Sequence, residues 1–362
     1  MSHNDLYLVY IDLILVMKDS EKMLNNQDFA QSEAKSPAKR RLALVGNADQ
    51  GTSKANPLSE FNRATRLLQE TIVKIDGAYA PSTIRAYRVD FQDLIKFCAE
   101  RKAQALPAQP QLVAEYICKL TNSGRSSASI RRAIAGIATI HKLNRHEDPT
   151  KDPDVTLEMR RMHRNLGRSS NQAGSINADT LDKLISATDN SCRGIRDRAL
   201  LLVAYDTLCR RSELVSLQVK DVKINIKNSI ETTSILLRKS KTDQDSTGKW
   251  LHLSQRAHLA LVEWMKELPD GQEYLMVGIA RGGRISRSIL GSGQVNRIYK
   301  RIARDAGLDA LVIKGISGHS MRVGAAQDLL NSGASMPIIM QRGRWSKTDT
   351  VMRYLEHSGC AR

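Results

Sequence analysis

Four short stretches in the C-terminal half carry residue types suited to chemistry on a phosphodiester. Arg210 and Glu213 stand three apart near a helix start, in Ala204-Tyr-Asp-Thr-Leu-Cys-Arg-Arg-Ser-Glu-Leu214. His319 and Arg322 stand three apart at the start of another helix, just after Ser317-Gly318. Residues three apart share a helix face, so each pair can point into a common site. Trp345 follows in Gln341-Arg-Gly-Arg-Trp345, and Tyr354 in Val351-Met-Arg-Tyr-Leu355. Taken singly, each has a plainer reading: a surface ion pair, a helix cap, two core aromatics. As a set of types they suit phosphoryl transfer. That transition state spreads negative charge over non-bridging oxygens, and its catalysis is mostly positioning and charge stabilisation. A guanidinium offers a planar bidentate fork to such oxygens. An indole N–H is a donor only. A phenol ionises near pH 10 in water, so a tyrosine nucleophile needs cations or a base beside it.

The competing signatures are missing. The sequence has no GxxxxGK[ST], no GxGxxG after a strand, no HExxH and no GxSxG, so ATP, NAD and zinc have no sequence support. Five cysteines (Cys98, Cys118, Cys192, Cys209, Cys360) are scattered without a CxxC pair. That fits a reducing compartment and gives no metal site. No cofactor is expected.

Helices must position these residues. Residues 1–60 read as an extension and 61–166 as a helical domain. Residues 167–174 (Gly-Arg-Ser-Ser-Asn-Gln-Ala-Gly) read as a linker, and 175–362 as a second, mostly helical domain. In the first domain, Ile84, Tyr87, Phe91, Leu94, Ile95 and Cys98 recur at three- and four-residue steps, and Ile130, Ile134, Ile137 and Ile140 do the same. Both are buried stripes of amphipathic helices. In the second domain, Val222–Ile226, Thr232–Arg238 and Lys249–Leu253 read as three short strands. The remainder is predicted helical over 178–188, 193–207, 211–218, 254–267, 292–306, 320–332, 336–342 and 347–356. With no βαβ alternation, doubly wound and barrel folds are not expected.

The charge supplies a partner. Lys and Arg total 55 against 38 Asp and Glu, a net +17. Phosphate neutralisation is what such an excess does well, so nucleic acid leads over mere solubility. Arg85 and Arg88 lie off the apolar stripe of their helix, and Arg131 and Arg132 lie opposite the isoleucine stripe of theirs. Arg297, Lys300, Arg301 and Arg304 form a third basic face. Each reads equally as a solvated face or as a DNA contact. The run Lys35-Ser-Pro-Ala-Lys-Arg-Arg41 reads as a solvated tail or a phosphate-grazing arm. Leu6–Met17 is apolar but about twelve residues long, short of the roughly 20 that cross a bilayer. It reads as an amphipathic docking helix or as a start called too early.

Taken together, the boxes around Arg210 and Glu213, His319 and Arg322, Gly343-Arg-Trp345 and Arg353-Tyr354 resemble, in order and spacing, those of the tyrosine recombinases, the phage integrase family. The likeness spans roughly residues 78–356. It implies a helical, SAM-like core-binding domain and a mostly helical catalytic domain with a small three-stranded antiparallel sheet. It implies that Tyr354 is the nucleophile and forms a 3′-phosphotyrosyl link. Arg210 and Arg322 then stabilise the phosphorane, while His319 and Trp345 donate to the same oxygens. Lys241, in the loop Leu237-Arg-Lys-Ser-Lys-Thr242, matches the family's general acid, with Arg238 and Lys239 as neighbours. Glu213 matches the acidic residue that orients the basic ones. The helices of Arg85, Arg88, Arg131 and Arg132 match those the family places in the major groove. The implied partner is double-stranded DNA with inverted-repeat sites, bound by four subunits. The implied setting is the bacterial cytoplasm and nucleoid, for a mobile element, phage or plasmid.

One departure concerns assembly. The family's Trp-bearing members continue past the nucleophile into a helix that docks on a neighbour, and here only Leu355–Arg362 follows Tyr354. Either another contact serves, such as the N-terminal extension, or the chain is truncated. A type IB topoisomerase-like or telomere-resolving enzyme would use the same site, but the helical N-terminal domain disfavours it. A DNA-binding protein without catalysis is disfavoured by the full residue set.

Overall fold

A computed structural model describes residues 57–168, 173–227, 230–238, 240 and 248–355. The readings of Leu6–Met17, Lys35–Arg41, Lys239, Lys241 and the segment after Leu355 fall outside the described residues.

The first unit is helical. It contains α1 (Pro57–Lys74), α2 (Pro81–Glu100), α3 (Pro110–Asn122), α4 (Ser127–Leu143) and α5 (Pro153–Leu166). Pro at the first turn starts α2, α3 and α5, where a missing N–H costs nothing. Ser126 caps α4 by accepting from the Ser129 N–H. The predicted stripes face inward: Ile84, Phe91, Leu94, Ile95 and Cys98 of α2 and Ile130, Ile134, Ile137 and Ile140 of α4 are all buried in one cluster. Each such side chain contributes about 1.5–3 kcal/mol of burial. Tyr87 is the exception. It is half-buried, and Gly136 of α4 lets its ring approach: a Cβ there would lie 3.1 Å from Tyr87 Cδ1.

The second unit begins where Ile176 N–H donates to the Ser320 carbonyl. Its helices are α6 (Ala178–Ser186), α7 (Cys192–Thr207), α8 (Arg211–Val215), α9 (Gln255–Glu267), α10 (Ser292–Asp305), α11 (Ala310–Gly315), α12 (Ser320–Asn331), α13 (Met336–Gly343) and α14 (Thr348–Leu355). The sheet β1 (Val222–Lys227), β2 (Ile230–Leu237) and β3 (Lys249–His252) is antiparallel in that order, with Ile235 opposite both Val222 and Leu251.

Three expectations are corrected. The helix read over 211–218 stops at Val215, and a 3₁₀ turn follows at Val219–Asp221. A second hairpin, Val277–Ile279 with Ile285–Ile289, was not read as strand, because its segments are short and one carries glycine. Helix α11 was also unread; at six residues it is too short to show a period.

Two apolar clusters share this second unit. The larger runs from Ile176 to Met321. The smaller gathers Leu208, Ala325, Ala326, Ile339, Trp345, Val351 and Leu355, with Tyr354 packed against it. The smaller cluster fixes α14 against α12. Gly324 permits a further close approach, since any Cβ there would overlap the Ile176 carbonyl.

Candidate active site

Arg210 precedes α8 and His319 precedes α12, each as the N-cap residue. Arg322 lies one turn into α12, Trp345 follows α13, and Tyr354 lies in the last turn of α14. These elements bring Arg210, Arg211, Ser212, His319, Arg322, Trp345, Thr350 and Tyr354 to one cleft of about 230 Å³. All five residues expected to surround the phosphate therefore share it.

Glu213 is buried rather than on the surface. Its Oε1 accepts from Arg210 Nη1 at 2.7 Å, and its Oε2 accepts from the Arg210 backbone N–H at 3.0 Å and from Arg344 Nη2 at 3.1 Å. Burial alone would raise its pKa, but the hydrogen bonds from Arg210 and the charge of Arg344 outweigh it, and the carboxylate lies below its ordinary value. It is therefore ionised at neutral pH and holds the Arg210 side chain, which keeps some exposure to the cleft.

Arg322 is almost completely buried. Its Nη1 donates to the Leu208 carbonyl and its Nη2 to the Gly343 carbonyl. Its guanidinium carbon lies 4.2 Å from the centroid of the Trp345 ring. The left-handed turn at Leu208 (φ 48°) ends α7 and aims that carbonyl. Gly343 is required beside it, because any Cβ there would overlap the indole of Trp345. Desolvation first, then Arg210 and Arg344, lower the Arg322 pKa to about 10, so it remains a cation.

His319 has an edge open to the cleft. The protein packed around its ring, and then Arg322, Arg210 and Arg211, push its pKa below the ordinary value. It is neutral at neutral pH, with one nitrogen free to accept a proton. Trp345 and Tyr354 stack at 5.7 Å between centroids, tilted by 44°. The Tyr354 carbonyl, at the end of α14, accepts from Gln327 Nε2 at 2.9 Å.

The basic residues expected on DNA divide. Arg85, Arg131, Arg297 and Arg304 are exposed, and Arg88 is half-buried. Arg132 is spent on Asp90 of α2, Nε to Oδ2 at 2.8 Å and Nη2 to Oδ1 at 2.9 Å. Arg301 pairs with the buried Asp197 and with Asp305, and Lys300 donates to the Lys314 carbonyl at 3.2 Å. Arg132 and Arg301 thus each have an acidic partner within the chain while their side chains stay partly exposed. Arg238, beside the expected Lys241, pairs with the buried Asp221.

Sequence reading missed Arg211, Ser212, Thr350, Gln327 and Arg344. Position beside a known box was the only signal for the first two. Gln327 and Arg344 carried none, since an ordinary helix and a basic segment surround them.

Residues 175–359 match the model of the phage integrase family, and residues 70–148 match the phage integrase N-terminal SAM-like domain. The chain belongs to the phage integrase family, the tyrosine recombinases. It is 27% identical over 279 residues to recombinase cre of Escherichia phage P1, covering 72% of this chain and 80% of that one. It is 26% identical over 293 residues to an integrase/recombinase xerD homolog of Selenomonas ruminantium, covering 78% and 84%. Among solved structures it is similar in fold to XerH recombinase bound to its difH substrate before cleavage, with TM-score 0.58, 16% identity and coverage of 86% and 88%. It is also similar to a lambda integrase dimer bound to a COC′ core site, with TM-score 0.55, 16% identity and coverage of 86% and 84%. No helix among the described residues is long and apolar enough to cross a membrane.

Proposed function

We propose that the chain cuts and rejoins DNA strands through a 3′-phosphotyrosyl intermediate on Tyr354. The observation that carries this reading is the single cleft lined by Arg210, His319, Arg322, Trp345 and Tyr354. The Tyr354 phenol oxygen attacks phosphorus and the 5′-oxygen leaves as a hydroxyl. His319, neutral at neutral pH, takes the phenol proton. Arg210 and Arg322 supply the positive charge that a metal ion supplies in other phosphoryl transfers. Both are held before substrate arrives, Arg210 by Glu213 and Arg322 by two carbonyls and Trp345, so little reorganisation accompanies the reaction. The leaving 5′-oxygen needs a proton, and Lys241 is the assigned donor. The phosphotyrosyl bond conserves the energy of the broken phosphodiester, so a second 5′-hydroxyl reverses the step without ATP.

Double-stranded DNA with inverted-repeat sites is the proposed substrate, bound by four subunits on two sites, in a bacterial cytoplasm. Arg85, Arg88, Arg131, Arg132, Arg297 and Arg301 are the proposed DNA contacts of this chain.

Covalent trapping tests the reading. Purified protein is incubated with sheared DNA of its source genome and quenched with detergent, and the DNA ends joined to protein are sequenced beside Tyr354→Phe. Adducts at one inverted-repeat site, lost in the variant, are expected. Adducts at scattered sites would favour topoisomerase-like relaxation, and adducts in Tyr354→Phe would overturn the nucleophile.

A further inference from the structure

Arg344 sits where its backbone conformation favours another residue. It ends α13 in the left-handed region, φ 55° and ψ 47°, where glycine is at ease and a side chain is not. Its guanidinium is nevertheless buried. Nη1 donates to the Thr207 carbonyl at 2.9 Å and the Arg342 carbonyl at 3.3 Å. Nη2 donates to Glu213 Oε2 at 3.1 Å and the Leu208 carbonyl at 3.3 Å, and lies 3.5 Å from Cys209 Sγ. The side chain therefore crosses from the end of α13 to the turn that carries Arg210.

Its neighbours serve the other arginine. The Gly343 carbonyl accepts from Arg322, and the Trp345 ring lies under the Arg322 guanidinium. The Leu208 carbonyl accepts from both Arg322 and Arg344. One residue thus joins the partners of Arg322, through its backbone, to the partner of Arg210, through its side chain.

We propose that Arg344 is a positioning residue that fixes Arg210 and Arg322 relative to each other, acting through Glu213 and the 343–345 backbone. The proposal rests on the recombinase reading above. Its physical reason is the division of labour on Glu213. Oε1 faces Arg210, whose guanidinium must turn to a phosphate when DNA arrives. Oε2 is gripped by Arg344, which never leaves the interior. With Arg344 in place, Glu213 stays ionised and stationary while Arg210 engages the phosphate. Without it, the buried carboxylate would keep the Arg210 backbone N–H, but its only charged partner would be a side chain that must also bind substrate.

The test uses the full chain and a labelled duplex bearing the site recovered by trapping. The rate of adduct formation at saturating duplex is measured separately from the half-saturating concentration. Arg344→Gly suits the left-handed backbone and removes the whole side chain, guanidinium included. Its rate is expected to fall roughly 10- to 100-fold, as for a misplaced catalytic group. The half-saturating concentration should stay within about twofold, since the Arg344 side chain is buried. If Arg344 acts through Glu213, adding Glu213→Gln to Arg344→Gly costs nothing further beyond Glu213→Gln alone. Arg344→Lys keeps the charge without the fork that spans Glu213 and the Leu208 carbonyl, so a partial loss is expected; this variant decides the matter if Arg344→Gly does not unfold cooperatively. An unchanged rate in either variant overturns the proposal. So does a loss that multiplies with that of Glu213→Gln, or one confined to half-saturation. If the wild-type chain forms no adduct, both readings fall, whereas a wild-type rate in Arg344→Gly overturns this one alone.

Discussion

The two helical units solve the problem of charge in opposite ways. Between Pro57 and Arg168 the buried polar side chains are Thr71, Ser127 and His141, none of them a permanent charge. Its arginines are exposed, apart from the half-buried Arg88, and some are tied as Arg132 is to Asp90. In the second unit Arg196, Asp197, Glu213, Asp221, Arg322 and Arg344 are all buried. Burying an ion costs several kcal/mol unless partners replace its water. The first unit avoids that cost and the second accepts it, with partners built for each ion: Asp197 between Arg196 and Arg301, Asp221 under Arg238, Glu213 between Arg210 and Arg344. An interior that stability alone would fill with leucine instead holds guanidiniums, and one of them, Arg322, lines the cleft. The proposed phosphoryl transfer gives a reason to retain Arg322 there, and the first unit shows that this chain can build a core without buried arginine.

Arginine truncation is the largest way to break this contrast. Arg322→Ala leaves the Leu208 and Gly343 carbonyls unpartnered and the Trp345 ring uncovered. Adduct formation should fall about 10³-fold, the scale for a lost oxyanion donor. Stability of the second unit should fall by about 3 kcal/mol. All three tryptophans, Trp250, Trp264 and Trp345, lie in that unit, so urea unfolding followed by fluorescence reports it selectively. Arg132→Ala, at the exposed pair with Asp90, should cost less than about 1 kcal/mol, read by hydrogen exchange in α2 and α4. Equal costs at the two positions would dissolve the distinction.

Backbone approach gives a second, smaller contrast. Gly324→Ala drives a methyl into the Ile176 carbonyl, which is backbone and cannot turn aside. A loss of about 1–3 kcal/mol is expected in the fluorescence-monitored transition. Gly136→Ala meets only the Tyr87 ring, at 3.1 Å, and gains helix propensity. It should change α4 protection by less than about 1 kcal/mol. A tolerated Gly324→Ala would mean that the start of the second unit packs less tightly on α12 than the structure has it.

The same contrast explains what was legible in the sequence. In the first unit the rule is apolar inside and charged outside, so stripes such as Ile130-Ile134-Ile137-Ile140 declare the fold directly. In the second unit that rule fails where it matters. Arg301 sits on a face that looks solvated, yet reaches the buried Asp197, because nothing in the local pattern marks Asp197 as interior. Arg344 looks like one more surface cation in Gln341-Arg-Gly-Arg, and only the left-handed turn after α13 sends it inward. The residues around the cleft were legible for another reason: their types and spacing resemble the boxes of the family, which packing does not dictate. Gln327 escaped because its role is to hold a backbone carbonyl, and any polar residue on a helix looks the same.

The smallest effect is expected where the first unit comes nearest to burying a charge. His141 is enclosed in that unit's core, with Nε2 accepting from the Ala108 N–H at 2.9 Å and Nδ1 donating to the Ile137 carbonyl at 2.8 Å. Both nitrogens are used by the neutral ring, and protonation would break the first bond. Burial, chiefly, and the nearby His146 hold its pKa below the ordinary value. The unfolded ring titrates near 6.5, so below that pH the unfolded chain gains a proton that the folded one refuses. The histidine's contribution is therefore fully present above about pH 6.5 and is lost as pH falls toward the folded value, by at most about 1.4 kcal/mol per pH unit. Amide exchange across 127–143, measured in the full chain at pH 7.5 and pH 5.5 and corrected for intrinsic rates, should show this loss. His141→Gln, whose amide can make both hydrogen bonds without titrating, should abolish it. A pH-independent wild-type helix would mean that the folded ring takes up its proton as readily as the unfolded one, and that the first unit, like the second, can hold an ion inside.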